Sequence, residues 1–232
     1  MTELPDLTGK SVAIVAMGKS GGEYLTARAH SIEFDEVWTI NVMGRILPSH
    51  RVFMMDPPSR FLDGEFSGGQ TNAMRDMLVS DLNGVPIYSC TTDARCPSVV
   101  EYPLKSVMTT TGHYYFNNTV AYALGFAAAT KVSQLNLFGV DFAYRENIYF
   151  AEAGRACCEF WTGILVSHGC SVSVASESSF IDTNVPPTER LYGYHRLPDP
   201  MHISVGDGQF SMVRQSEFTA PPEPTDPILY KG

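Results

Sequence analysis

Short apolar runs recur along the chain, each followed by a stretch of different character. Residues 11–16 (SVAIVA) are apolar without alternation, as expected of a parallel strand buried on both faces. A glycine-rich turn, 17–22, follows, then a helix over 23–31 and a second strand over 36–40 that ends on Asn41. Residues 51–55 (RVFMM) read as a third strand, ending on Asp56 and stopped by Pro57 and Pro58. Helical composition returns over 72–82 and a strand over 86–90, and residues 91–113 read as a long irregular connection. The clearest helix is 118–131 (NTVAYALGFAAATK), with Asn117 or Asn118 as N-cap and Gly125 as a site for close packing on the sheet. A strand over 134–138, a helix over 153–168 and a strand over 170–175 complete the series.

Strands separated by helices at this spacing predict an α/β fold with a doubly wound, mostly parallel sheet over residues 1–180. Residues 181–232 read as an irregular C-terminal extension whose segment 220–227 (APPEPTDP) is Pro-rich and acidic, and Tyr192–Arg196 reads as a lid contact or a surface turn. No internal repeat is visible.

Composition narrows the function. The 232 residues are 44% hydrophobic and 18% charged, enough apolar material for a substantial core. A net charge of −9 repels phosphate backbones and argues against nonspecific nucleic-acid binding. The apolar runs fall short of the roughly 20 residues that span a bilayer. The acidic start of the chain does not resemble a secretory signal, so a cytoplasmic protein is expected. Five cysteines, two of them adjacent, read as reduced thiols.

In a doubly wound sheet, ligands bind beyond the carboxyl ends of the strands where strand order reverses. The candidate positions are therefore Gly18, Lys19 and Ser20, then Asn41, Asp56, Asn118, Thr119 and Asp141. The glycine loop can aim backbone N–H groups at a phosphate, or it can be a tight turn with a solvated Lys19. Asn118 can cap its helix or contact a ligand, and Asn41 and Asp56 can bind a base or ribose or close their own turns. Asp141 can orient a sugar hydroxyl, bind a cation or cap a turn. His113, beside the threonine run, is a candidate general base or a packed core histidine. Tyr114, Tyr115, Tyr144 and Tyr149 can stack a base or sugar or simply pack, and Arg145 and Arg155 can offset phosphate charge or be solvated. No H-x-x-x-H or C-x-x-C spacing points to zinc, so no metal site is assigned.

Taken together, VAIVAMGKSGGEYL, the strand ends TIN and MMDPP, the helix-to-strand segment NNTVAYALGFAAATKVSQLNLFGVDF and the closing ACCEFWTGILVSHGCSVSVAS resemble the Rossmann-like glycosyltransferases of the bacterial sialyltransferase type. The pattern, over roughly residues 10–180, is also similar to related uncharacterised domains and to archaeal hydroxymethylpterin pyrophosphokinases. The sialyltransferase resemblance implies a nucleotide-sugar donor held by Gly18, Lys19, Ser20, Asn41, Asp56, Asn118 and Thr119, with Asp141 near the sugar and the glycosyl group passed on by direct displacement. The pyrophosphokinase resemblance implies Mg²⁺ on Asp56 and Asp141. Two departures stand out. The family's Gly-x-Gly-Pro-Ser loop reads Ala16-Met17-Gly18-Lys19-Ser20, with Met17 where the family has an Asn contact. The family's lid histidine has no counterpart between Arg145 and Arg155, which leaves Glu152 or His113 as base. The other readings open at this stage are a non-catalytic nucleotide-binding or assembly-docking module and a homo-oligomer.

Overall fold

The computed structural model describes residues 3–64, 69–143, 148–191, 201–206 and 209–219. Chain contacts divide it into Met1–Val185 and Pro186–Gly232. The first unit runs β1 (Ser11–Val15), α1 (Gly22–Ala29), β2 (Glu36–Ile40), α2 (Met43–Ile46), β3 (Arg51–Phe53), α3 (Ser59–Leu62), α4 (Gly69–Val79), β4 (Ile87–Ser89), β5 (Val99–Glu101), α5 (Leu104–Thr111), α6 (Thr119–Ala129), β6 (Gln134–Phe138), α7 (Ile148–Ser167) and β7 (Ser171–Val174). Its seven strands are all parallel, in the order β5-β4-β3-β2-β1-β6-β7.

The order follows from burial. β1 and β2 are buried on both faces and lie near the centre, where helices cover both sides. Val12, Ile14, Trp38, Ile40, Phe53, Leu135 and Leu137 pack with Ala123, Phe126 and Ala127 of α6 and Trp161 and Leu165 of α7. On the other face Ala13, Val15 and Val37 meet Tyr24 of α1, while Val52, Met54 and Ile87 meet Met74, Met77 and Leu78 of α4. The chain steps outward from β1 to β5, then α6 returns it so that β6 pairs on the free side of β1. The loops leaving β1 and β6 therefore flank the point where strand order reverses.

Three corrections concern local structure. Residues 91–113 are not irregular throughout, since they contain β5 and α5. Gly125 does not serve the sheet: a methyl there would meet the Phe116 ring at 2.5 Å and Trp161 at 3.4 Å, so it admits aromatic packing between α6 and α7. In the second unit, Met201–Gly206 and Gln209–Arg214 form an antiparallel hairpin, β8 and β9, where no regular structure is expected from the sequence. The segments 192–196 and 220–227, and residues Tyr144 and Arg145, lie outside the described residues.

At the amino ends of β2 and β3, Arg51 grips Glu36 through Nε (2.7 Å) and Nη2 (3.0 Å), and Trp38 Nε1 also donates to that carboxylate (2.6 Å). Burial, the largest single influence, pushes the Glu36 carboxyl up, but the bonds from Arg51 and Trp38 and the nearby positive charge outweigh it and leave it below its ordinary value. A carboxyl lowered in the folded state contributes stability above its unfolded pKa near 4.5, and that contribution is lost as pH falls through the folded value. Glu36→Gln is thus expected to lower stability by about 2 kcal/mol at neutral pH. In urea titrations the gap from the parent should close as pH falls below 4.5.

Thr39, fully buried in β2, has a hydroxyl with no partner among the described residues. Thr39→Val is expected to raise unfolding free energy by about 1 kcal/mol, read as a higher urea midpoint with unchanged slope.

Candidate functional site

The carboxyl end of the sheet is built by the loops after β1, β2, β3, β6 and β7 and by the start of α6. The glycine loop after β1 closes onto the β6 loop. The Gly18 N–H donates to the Gly139 carbonyl (2.8 Å), and the Gly139 N–H donates to Ser20 Oγ (2.9 Å). The Ser20 N–H donates to Asp141 Oδ2 (2.9 Å), and Ser20 Oγ donates to Asp141 Oδ1 (2.5 Å). Ser20 and Asp141 are buried. The approach is too close for side chains: a methyl on Gly18 would overlap the Asp141 carboxylate, and one on Gly139 would overlap the Ala16 carbonyl.

This geometry bears on two expectations. The Gly18, Ser20 and Gly21 N–H groups are committed within the protein, so they do not form an open phosphate cradle. The anion that the Ser20 N–H receives is Asp141, each of whose carboxylate oxygens accepts one bond from Ser20. Gly18, Ser20 and Asp141 shape the rim, and the Lys19 side chain remains exposed on it.

The β7 loop is joined to the same edge. Ser178 Oγ donates to the Val140 carbonyl (2.6 Å), and Ser179 Oγ donates to the Asp141 carbonyl. Glu23, in the first turn of α1, accepts from Ser176 N and Oγ (both 2.9 Å) and from Glu177 N (2.8 Å). Burial is the largest influence on the Glu23 carboxyl and pushes it up, but these three bonds hold it below its ordinary value. Glu23, Gly139, Ser178 and Ser179 were not evident as rim residues from sequence. A glycine directly after the QLNLF strand is the one signal that marks a close backbone approach.

On the other side of β1 the rim is less occupied. Asn41 follows β2 in the left-handed region (φ 52°), which Asn tolerates, and its N–H donates to the Phe53 carbonyl (2.8 Å). Its side-chain Oδ1 is buried and has no partner among the described residues. Asp56 pairs with Arg60 four residues on, while its carbonyl accepts from Ser89 Oγ (2.9 Å).

Asn118 caps α6: its Oδ1 accepts from the Ala121 N–H (3.0 Å), and its Nδ2 donates to the Gly154 carbonyl (3.1 Å) and to Asn117 Oδ1 (2.7 Å). The side chain is thus spent on the helix and on α7. Gly154 also leaves room for Phe142, because a methyl there would press on that ring at 3.0 Å. Thr119 is the half-buried first residue of α6.

The two candidate bases are not brought together. Glu152 is exposed near the start of α7, whereas His113 packs edge-on against Phe160 (5.2 Å) and Trp161 (6.0 Å). Eight residues separate Glu152 from Phe160, roughly 12 Å along the helix. Cys157 and Cys158 lie buried on α7, and all five cysteines are free. Burial pushes the Cys158 thiol well up and the Cys170 thiol to about 11, so neither is a ready nucleophile.

Among the described residues no cluster of three or more His, Cys, Asp or Glu is placed to hold a metal ion. Asp56 and Asp141 are engaged by Arg60 and Ser20 respectively. Nor is any helix among them long and apolar enough to cross a membrane. A separate open recess of about 460 Å³ lies beside the C-terminal end of α6, lined by residues including Leu4, Pro5, Ser106, Thr110, Thr130 and Lys131. It is at the opposite end of the sheet from the rim.

No protein-family model matches the chain, and no curated protein matches it. Solved structures that resemble it include two of the sialyltransferase CstII from Campylobacter jejuni. The one in complex with CMP-3FNeuAc is 13% identical, with 74% of this chain and 83% of that chain covered and a TM-score of 0.45. The one with cytidine-5'-monophosphate is 15% identical, with 72% and 79% covered and a TM-score of 0.40. Both likenesses are distant in sequence and extend over most of this chain's length.

Proposed function

We propose that the chain binds a nucleotide or nucleotide-sugar over the carboxyl ends of β1, β2 and β3, and that it transfers the glycosyl group by direct displacement. The observation that supports the reading is the Asn41 amide oxygen, a buried acceptor with no donor among the described residues, in the loop after β2 beside the glycine loop's strand. A buried acceptor left unpaired costs about 1–3 kcal/mol, which a base amine or ribose hydroxyl would recover on binding. Lys19, exposed on the adjoining loop, supplies positive charge for the phosphate and for the charge that grows on it as the glycosyl bond breaks. The acceptor hydroxyl attacks the anomeric carbon and gives its proton to Glu152, while His113, packed against α7, is the alternative base. Asp141, Ser20 and Gly18 act as positioning residues.

A second reading, a non-catalytic nucleotide-binding module, is favoured by one observation: the Asn118 side chain is spent on α6, α7 and Asn117, and the two candidate bases are not brought together. Thermal-shift measurements with CMP, UDP, GDP, ATP and their sugars, with and without Mg²⁺, test both. One nucleotide class should stabilise the chain, by about 2.7 kcal/mol at a hundred times its dissociation constant. Asn41→Gly, which keeps the left-handed backbone and removes the amide, should weaken that ligand about tenfold. Slow donor hydrolysis abolished by Glu152→Gln or His113→Ala marks an enzyme, and binding without hydrolysis marks the module. If no nucleotide shifts the transition, both readings fail.

A further inference from the structure

The segment after β7 carries backbone strain that the proposed function does not use. Among the described residues seven that are not glycine have positive φ, and Phe142 (44°), Ile181 (48°) and Asp182 (54°) are three of them. Phe142 and Ile181 are the only apolar residues of the seven, and a bulky or β-branched side chain is a rare occupant of that region. All three lie in one contact: the Phe142 ring is 5.8 Å from the Phe180 ring, and Arg155 of α7 donates to Asp182 (2.7 Å). Left-handed backbone disfavours each such residue about tenfold, and it persists only where the surroundings enforce it. Here the enforcement is mostly polar. Ser176 and Glu177 donate to Glu23, Ser178 and Ser179 donate to the carbonyls of Val140 and Asp141, and Arg155 holds Asp182. Phe180 is the one buried apolar side chain of residues 176–183, and Ile181 is 40% exposed. A segment with a single apolar anchor and exposed hydrogen bonds belongs to the low end of local stability.

We propose that residues 176–183 form a strained strap at the carboxyl edge, which opens as a unit while the sheet stays folded. Closed, the strap pins the turn after β6 through the Val140 and Asp141 carbonyls, and so keeps the Asp141 carboxylate on Ser20. Open, it gives up the Phe142–Phe180 contact and the polar bonds, but Phe142, Ile181 and Asp182 relax out of the left-handed region. The relief of strain offsets part of what opening loses, so the two forms lie closer in free energy than the bonds alone would place them. The strap is thus a gate on the β6 side of the edge, whichever ligand the edge takes.

Native-state hydrogen exchange of the full chain, read amide by amide by NMR, tests this. The amides of Ser176, Glu177, Ser178, Phe180 and Asn184, all bonded within the strap or to Glu23, should share one protection factor, about a hundredfold or more below that of Ile14 in β1. Ile181→Asn, which suits left-handed backbone, should slow exchange across the strap about fivefold and leave Ile14 unchanged. Arg155→Gln, which removes the bond to Asp182, should speed it roughly two- to fivefold, and the Ser20 amide should follow because its Asp141 acceptor is held by the strap. Unchanged Ile14 rates in both variants show that each still folds. Strap amides as protected as Ile14, protection factors that differ from one strap amide to the next, or strap rates that Ile181→Asn raises or leaves alone would overturn the proposal.

Discussion

Gly139→Ala is expected to remove about 3 kcal/mol or more of unfolding free energy, a large share of the 5–15 kcal/mol typical of a domain. Two costs combine. Gly139 has φ 71°, where an L-residue loses about 1–2 kcal/mol. The added methyl would also overlap the carbonyl of Ala16, a residue anchored by its own N–H on the Phe138 carbonyl (2.8 Å), and overpacking of that kind costs about 1–3 kcal/mol. Gly9→Ala separates the terms: Gly9 has φ 80° with nothing within 4 Å of the new methyl, so it carries only the conformational cost. Urea unfolding of the two variants should differ by about 2 kcal/mol. Equal losses would mean that the glycine loop does not close on β6 as described.

Asp141→Ala is expected to cost about 3 kcal/mol, because it strips the buried Ser20 of acceptors for both its N–H and its hydroxyl. Asp141→Asn, which can keep one of the two bonds, should lose about half as much. The vacated N–H gives the substitution a second signature. With Asp141 gone, the Ser20 N–H becomes the anion seat expected of a glycine loop at a helix start. Sulfate should then stabilise Asp141→Ala beyond its general effect on the parent chain, as seen in urea midpoints at matched ionic strength. An identical response to sulfate in both chains would count against Asp141 as the occupant of that seat.

These two variants also mark where sequence reading stops. β2 and β6 are legible to the residue, and β1 to within one, because each is a short strand-forming segment, mostly apolar in β1 and β2 and alternating in β6, bounded by residues of different character. β5 and α5 are missed for physical reasons: VVE is three residues long, and LKSVMTTT is rich in β-branched residues that favour helix poorly and follows Pro103. The hairpin alternates apolar and polar residues only briefly, over six residues per strand. At the rim, chain order and strand ends identify Lys19, Asn41, Asn118 and Asp141 as residues of one edge. Their partners are a different matter. Asp141 meets Ser20 across 121 positions and Asn118 meets Gly154 across 36, pairings made by folding and carried by no local pattern. The glycines are compatible with a phosphate cradle or with a tight turn, and in this fold the Ser20 N–H meets the protein's own carboxylate.

Two-dimensional NMR, following backbone amides as the chain is titrated with whichever nucleotide gives the largest thermal shift, tests the central reading most directly. Shifts concentrated at residues 17–20, 41–42, 56 and 117–119 would place the ligand over the carboxyl edge beside Asn41, as this account predicts. Shifts confined to the recess around Leu4, Ser106 and Thr130 at the far end of the sheet, or no shifts at saturating nucleotide, would contradict it.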